Sequence, residues 1–344
     1  MADRLIRTVT LARPIDGAPT ADDFVIVETP PRPLPEGGFR ARVIFASVDP
    51  GTRSRLSAGA SYAAPLKPGE AIDGFCIAQV TETQHAKFAV GDVLAMGGGW
   101  TEEIVSNGRG YIQKITDRRI PLSAWIGVLG IPGMTAWFGL QRTAQLRAGE
   151  TVLVTSAAGP VGATAGQIAK RLGAARVIGV AGGPAKCAWL TQACGFDAAI
   201  DYKAEPDLAA ALRAAAPEGV DVLFDNVGNA MIDRVLPLMR PRGRIVISGQ
   251  VADYNSAAPP GLINTRYFIA SRLRMEGLVV FDDMKQFPEA QAQMADWIAA
   301  GDLVWREEAF TGLEALPAAF IGLFSGDAFG RRIVRLGADP EGWG

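Results

Sequence analysis

The stretch VLVTSAAGPVGATAGQIAK, residues 152–170, constrains this chain more than any other. An apolar run breaks into a glycine turn and resumes as a helix, with Val161, Ala165, Ile168 and Leu172 at helical spacing. From there strand and helix alternate. The pattern predicts strands at 151–155, 176–181, 198–201, 220–225, 244–248 and 275–281, with helices at 161–172, 184–193, 207–215 and 229–239 between them. Near-continuous apolar strands joined by crossover helices form a parallel sheet covered on both faces. The expectation is an α/β, doubly wound, six-stranded nucleotide-binding domain.

The first 125 residues read differently. Short apolar or alternating runs at 24–28, 39–46, 74–80, 92–96 and 100–105 are separated by Pro- and Gly-rich joints such as TPPRPLPEGG and MGGG. That rhythm belongs to a β barrel or sandwich. After a helix at 288–300, the last 40 or so residues return to strand, helix, strand, too little chain for a core of its own. The tail is therefore expected to pack on the N-terminal β domain, making the nucleotide domain an insertion: residues 1–131 and 303–344 form one domain, 132–302 the other. A length of 344 residues also favours two cores over one.

Composition narrows the function classes. A formal charge of −2 gives no basic field for nucleic acid or an anionic membrane, and no apolar run approaches the length of a membrane span. Three cysteines, Cys76, Cys187 and Cys194, show no CxxC spacing; neither a disulfide framework nor a structural zinc site is expected, and the cytoplasm is the expected compartment.

In the glycine turn, Ala157, Gly159 and Gly162 stand where a dinucleotide fingerprint needs small residues: for a tight turn, for approach of backbone to a pyrophosphate, and for helix–strand packing. The following helix then points its first N–H groups at the phosphates. An NAD binder places a carboxylate at the end of the next strand to hold the ribose 2′-OH. Here that corner reads Ala181, Gly182, Gly183, with Lys186 one turn later. The missing carboxylate and the lysine point to a 2′-phosphate, hence NADPH.

The only histidine, His85, lies in the polar stretch TETQHAKFAVGD and reads as a solvent-facing turn residue. Neither a catalytic zinc site nor a Ser-His-Asp triad is expected. Candidates are instead sought at the carboxyl ends of the strands, in FDNVG (Asp225, Asn226), SGQVADYN (248–255) and GLVVFDD (277–283). Tyr254 is the best acid or oxyanion donor there, because a phenol donates a hydrogen bond without ionising near neutral pH. Tyr62, Trp100 and Tyr267 are candidate pocket residues.

Seven segments in order, GIPGMTAWFGL, GETVLVTSAAGPVG, GFDAAIDYK, VDVLFDNVG, GRIVISGQVADYN, LRMEGLVV and LPAAFIGLFSGD, resemble the zinc-independent medium-chain dehydrogenase/reductases of the prostaglandin reductase and curcumin reductase type. The resemblance spans nearly the whole chain. It implies a GroES-like β domain with a Rossmann domain, and NADPH-dependent reduction of a C=C bond conjugated to a carbonyl. Carried over by position, it implies that Ala158, Gly159, Pro160, Val161 and Gly162 cradle the pyrophosphate. Gly182, Lys186 and Tyr202 hold the 2′-phosphate region, and Asn226, Gly249 and Val251 the ribose side. Val279, Val280 and Phe281 meet the nicotinamide amide through backbone, Met134 and Thr135 lie near the ring, and Ala328 keeps a backbone contact. Tyr254 falls beside the substrate carbonyl and the cofactor, and a homodimer is implied.

Two departures stand out. Relatives read Asp-Pro-Tyr-Met-Arg where this chain has Asp49, Pro50, Gly51, Thr52 and Arg53, and Gly-Asp-Asn where it has Gly326, Asp327 and Ala328. A quinone reductase of the same superfamily and a non-catalytic NADPH-binding protein remain alternative readings.

Overall fold

The computed structural model describes residues 4–57 and 63–343. Contacts divide the chain into two compact units: residues 1–126 with 307–328 and 332–344, and residues 127–306 with 329–331.

In the first unit, β1 (Ile6–Leu11) and β2 (Phe24–Thr29) pair antiparallel. A seven-stranded sheet is built on β3 (Phe39–Ser47), β4 (Asp73–Thr83) and β5 (Val93–Gly99), with β6 (Glu103–Ser106) on β3 and β7 (Ile112–Lys114) on β5. The C-terminal tail completes it. β15 (Arg331–Arg335) pairs antiparallel with β3 through Ile333, Val334 and Arg335, and β14 (Glu307–Thr311) forms the edge beyond it. Between them α8 (Ala315–Ile321) buries Leu316, Ala319 and Phe320. Phe320 meets the Trp100 ring edge-on at 5.6 Å, so the tail supplies part of this core.

In the second unit, α1 (Ile131–Phe138) precedes six strands: β8 (Thr151–Thr155), β9 (Arg176–Ala181), β10 (Ala198–Asp201), β11 (Val220–Asp225), β12 (Met239–Ile247) and β13 (Arg274–Gly277). All neighbours are parallel, in the order β10-β9-β8-β11-β12-β13. Counted from β8 this is 3-2-1-4-5-6, the Rossmann order, whose direction reverses between β8 and β11. α2 (Pro160–Arg171), α3 (Pro184–Gln192), α4 (Leu208–Ala215) and α5 (Asn229–Val235) are the crossovers; α6 (Arg266–Ala270) precedes β13 and α7 (Phe287–Ala299) follows it.

The sequence rhythm did not include β1, β7 or α6, and three of the elements it did locate differ in their bounds. β12 begins at Met239, five residues before the expected start, pairing there with Val220 and meeting β11 again from Arg244 after a register shift between Val220 and Val222. The helix expected through residue 239 ends at Val235 and tightens into the 3₁₀ turn Leu236–Leu238, because Pro237 cannot donate to an α-helical ladder. β13 stops at Gly277 and is exposed throughout, whereas Val280–Gln286 form a 3₁₀ helix. An edge strand needs no second apolar face, so the apolar run LVVF belongs to the turn after it.

Candidate functional site

The direction of the sheet reverses between β8 and β11, and open parallel sheets take ligands at the carboxyl ends of their strands at such a point. β8 is buried along its whole length and leaves the sheet through Ser156, whose φ is +47°. Gly159 then caps α2 in an extended conformation and Pro160 occupies the first helical position, where a missing N–H costs nothing. A Cβ on Gly162 would stand 2.5 Å from Ser156 O and 2.8 Å from Ala157 Cα. Only glycine lets the helix start press onto the turn this closely. Gly159 is tight as well, with Ser156 O 3.2 Å from where a Cβ would stand. Backbone at a helix N-terminus with no side chain in the way is what a pyrophosphate needs, so Ala158 to Gly162 fit that group.

Asp225 and Asn226, named above from FDNVG, lie beside the turn in a hydrogen-bonded set with Thr155, which sequence reasoning did not single out. Thr155 Oγ1 donates to Asp225 Oδ1 at 2.7 Å and accepts from Asn226 N–H at 2.8 Å. Gly228 N–H donates to Asp225 Oδ2 at 2.8 Å, and Asn226 Nδ2 donates to Thr155 O at 2.8 Å, which fixes the orientation of the amide. Asp225 is fully buried. Burial pushes its carboxyl up to about 6, against the Thr155 hydroxyl and the Gly228 and Val227 N–H groups that favour the charged form. The signal was present in FDNVG: a carboxylate closing an apolar strand needs a reason to be there.

Gly182 and Gly183 follow β9, and Gly183, at φ +100°, caps α3, which carries Lys186 in its first turn. The nearest carboxylate, Asp201, ends β10 and accepts from Gly183 N–H at 2.8 Å and Lys203 N–H at 3.1 Å. These bonds, the Gly183 one foremost, hold its pKa below the ordinary value. It therefore ties two loops together, with Tyr202 N–H donating to Ala181 O at 3.1 Å alongside. A Cβ on Gly182 would meet Tyr202 Cε1 at 2.9 Å and Lys203 Cε at 3.0 Å. Tyr202 and Lys203 thus cross over Gly182; Lys203 was not foreseen, since it stands on a different strand end.

The loop after β12 is laced to the loop after β11: Ser248 N–H donates to Asp225 O, Val251 N–H to Asn226 O and Ala252 N–H to Val227 O. This brings Tyr254 back over the sheet. Its hydroxyl lies 3.5 Å from where a Cβ on Gly249 would stand, as does Asn226 O. Asn226, Gly249, Val251 and Tyr254 are therefore together. Val279 is exposed, Val280 buried and Phe281 half-buried after β13, whose departure is held by Leu278 N–H donating to Ile247 O at 3.0 Å. On α1, Met134 is fully buried and Thr135 nearly so, its hydroxyl donating to Ile131 O at 2.8 Å.

Other candidates fall elsewhere. Trp100 is core, its Nε1–H donating to Ser47 O, and Tyr267 is half-buried against the core of the nucleotide sheet; Tyr62 lies outside the described residues. Ala328 is half-buried in the first unit, and Gly51 sits in the 3₁₀ helix Pro50–Arg55. His85 is half-buried: it stacks on Phe88 at 4.7 Å, and a Cβ on Gly108 would stand 2.2 Å from its Nε2. Burial pushes the thiols of Cys76 and Cys194 up to about 12, away from the thiolate that binds metal. Among the described residues no three His, Cys, Asp or Glu side chains group as metal ligands.

Residues 7–114 match a family model described as the N-terminal domain of oxidoreductase, and residues 160–299 one described as zinc-binding dehydrogenase. The 2-alkenal reductase (NADP(+)-dependent) of Nicotiana tabacum is 38% identical, with 96% of this chain and 97% of that protein aligned. The NADPH-dependent curcumin reductase of Escherichia coli K12 is 37% identical, with 97% of each covered. A crystal structure of CurA from Vibrio vulnificus in complex with NADPH superposes with a TM-score of 0.90 at 35% identity, covering 97% of this chain and 100% of that one. The chain belongs to the medium-chain dehydrogenase/reductase family, in the group of the 2-alkenal and curcumin reductases.

Proposed function

We propose that this protein reduces the carbon–carbon double bond of α,β-unsaturated ketones and aldehydes with NADPH. The observation that carries the reading is the Tyr254 hydroxyl lying over Gly249 beside Asn226, at the strand ends that follow the reversal of the sheet. Its support is similarity over nearly full length to reductases named for 2-alkenals and curcumin.

In this reading, residues 1–131 and 303–344 supply the substrate-facing domain and 132–302 the cofactor domain. Ala158, Gly159, Pro160, Val161 and Gly162 bind the pyrophosphate through backbone. Lys186 and Tyr202 take the 2′-phosphate over Gly182, while Asp201 is engaged by the backbone N–H groups of Gly183 and Lys203. Asn226, Gly249 and Val251 hold the ribose side, and Met134, Thr135 and the backbone of Val279, Val280 and Phe281 orient the nicotinamide. Ala328 retains a backbone contact only. NADPH, when bound, supplies the hydride that adds to the β-carbon. Tyr254 donates its phenolic hydrogen bond to the substrate oxygen as negative charge builds there, lowering the barrier to the enolate. Water then protonates the α-carbon.

No metal takes part: a donating phenol polarises the carbonyl where a zinc ion otherwise would. We further assign a homodimer, paired through the exposed edge β13, and a reducing compartment such as the cytoplasm, in keeping with three free cysteines.

The test is oxidation of NADPH followed at 340 nm against a panel of enones and enals, with quinones in parallel and chelator-treated protein as a control. Turnover of alkenones with reduction at carbon is expected. Preference for quinones, loss of activity on chelation, or no turnover of any acceptor would overturn the reading.

A further inference from the structure

Asp283 is a buried carboxylate that the mechanism above does not use. Asp283, in the 3₁₀ helix Val280–Gln286, is 2% exposed. Its Oδ1 is ion-paired with the Arg142 guanidinium, and its Oδ2 is buried with no hydrogen-bond partner among the described residues. Burying a carboxylate with one oxygen unsatisfied costs stability that an apolar pair of the same volume would not. Something other than stability favours the pair.

Its position suggests what. Arg142 stands on the turn Gly139–Thr143, a π-helical continuation of α1. Such turns are rare and concentrate at functional sites. A Cβ on Gly139 would lie 2.5 Å from the Phe224 ring and 3.1 Å from Leu278 Cδ2, so the turn rests directly on β11 and on the residue before Val279. Phe138 stacks on Phe287 at 5.9 Å just beyond. The ion pair joins residues 141 positions apart in sequence. It therefore connects α1, which carries Met134 and Thr135, to the segment Val279–Phe281. Apolar packing between two such segments admits several offsets; an ion pair anchored on a buried carboxylate, which the exposed Arg142 side chain reaches from the solvent side, narrows them.

We propose that Arg142 and Asp283 form a strut that sets the spacing of the two segments facing the nicotinamide. Both are positioning residues, since neither is placed on the cofactor itself. The proposal rests on the NADPH reading above and adds to it a determinant at the nicotinamide end alone.

The test compares binding of NADPH with that of 2′-phospho-ADP-ribose, the same molecule without its nicotinamide, by calorimetry on the purified protein. Arg142→Gln should weaken NADPH about ten-fold and leave the truncated ligand within about two-fold, because only one end of the site is disturbed. Arg142→Lys, which keeps the charge, should restore most of the loss. The double variant Arg142→Gln with Asp283→Asn leaves no uncompensated buried charge, which protects the fold, and should show the same split between ligands. Equal weakening of both ligands, or NADPH affinity unchanged in the double variant, would overturn the strut. Wild-type protein that binds neither ligand would instead overturn the NADPH reading.

Discussion

The Thr155 hydroxyl donates to Asp225 Oδ1 at 2.7 Å across 70 residues of sequence, joining the carboxyl ends of the two strands between which the nucleotide sheet reverses. One oxygen serves both strands, because the same Oγ1 accepts the Asn226 N–H that begins the next loop. The carboxylate in turn holds Gly228 N–H, so the turn after β11 is shaped from beneath.

Thr155→Val keeps the shape and removes both bonds. Asp225 Oδ1 and Asn226 N–H each lose a partner, at about 1 to 3 kcal/mol for each group left unsatisfied. Urea unfolding should show a loss of about 2 to 6 kcal/mol for the two groups together, and NADPH affinity should fall with it as Asn226 is released. A variant as stable as the wild type would show that solvent or another group replaces the hydroxyl.

Asp225 also makes a pH signature. Burial raises its carboxyl from 3.8 to about 6, so between those values the folded chain keeps a proton that the unfolded chain has released. Its contribution is fully present below the lower value and is lost as pH rises through the upper one, about 3 kcal/mol in all. Asp225→Asn cannot titrate. Its stability relative to wild type should therefore improve by about that amount between roughly pH 4 and pH 7, whatever its offset. A constant difference across the range would mean that Asp225 is charged throughout.

Tyr254→Phe removes the phenolic hydroxyl and keeps the ring. Loss of one oxyanion donor costs up to about 4 kcal/mol, so kcat on enones should fall on the order of 10- to 1000-fold with NADPH affinity little changed. Full turnover on several enones would remove Tyr254 from the mechanism.

Lys186→Ala removes a charge-assisted contact worth about 1.5 to 3 kcal/mol. Affinity for NADPH should drop more than about ten-fold while affinity for NADH barely moves, because only the former carries the 2′-phosphate. Equal loss for both cofactors would indicate damage to the β9–α3 corner and not to phosphate recognition.

Some of this was legible along the chain. Burial on both faces makes parallel strands continuous apolar runs, and a glycine turn between strand and helix is a local matter of backbone sterics, so the alternation from Thr151 and the role of Gly162 could be read directly. The absence of a carboxylate at Ala181 to Gly183 was equally visible, because that position is defined by its distance from the turn. What tertiary structure alone decided are pairings between segments separated in sequence: Thr155 with Asp225, Gly183 with Asp201 and Lys203 over Gly182 at the strand ends, and Arg142 with Asp283 between two helical turns. Periodicity carries no record of these. Each depends on which strands the sheet sets side by side, and that order follows from how two buried apolar faces are covered rather than from any local preference of the residues that meet.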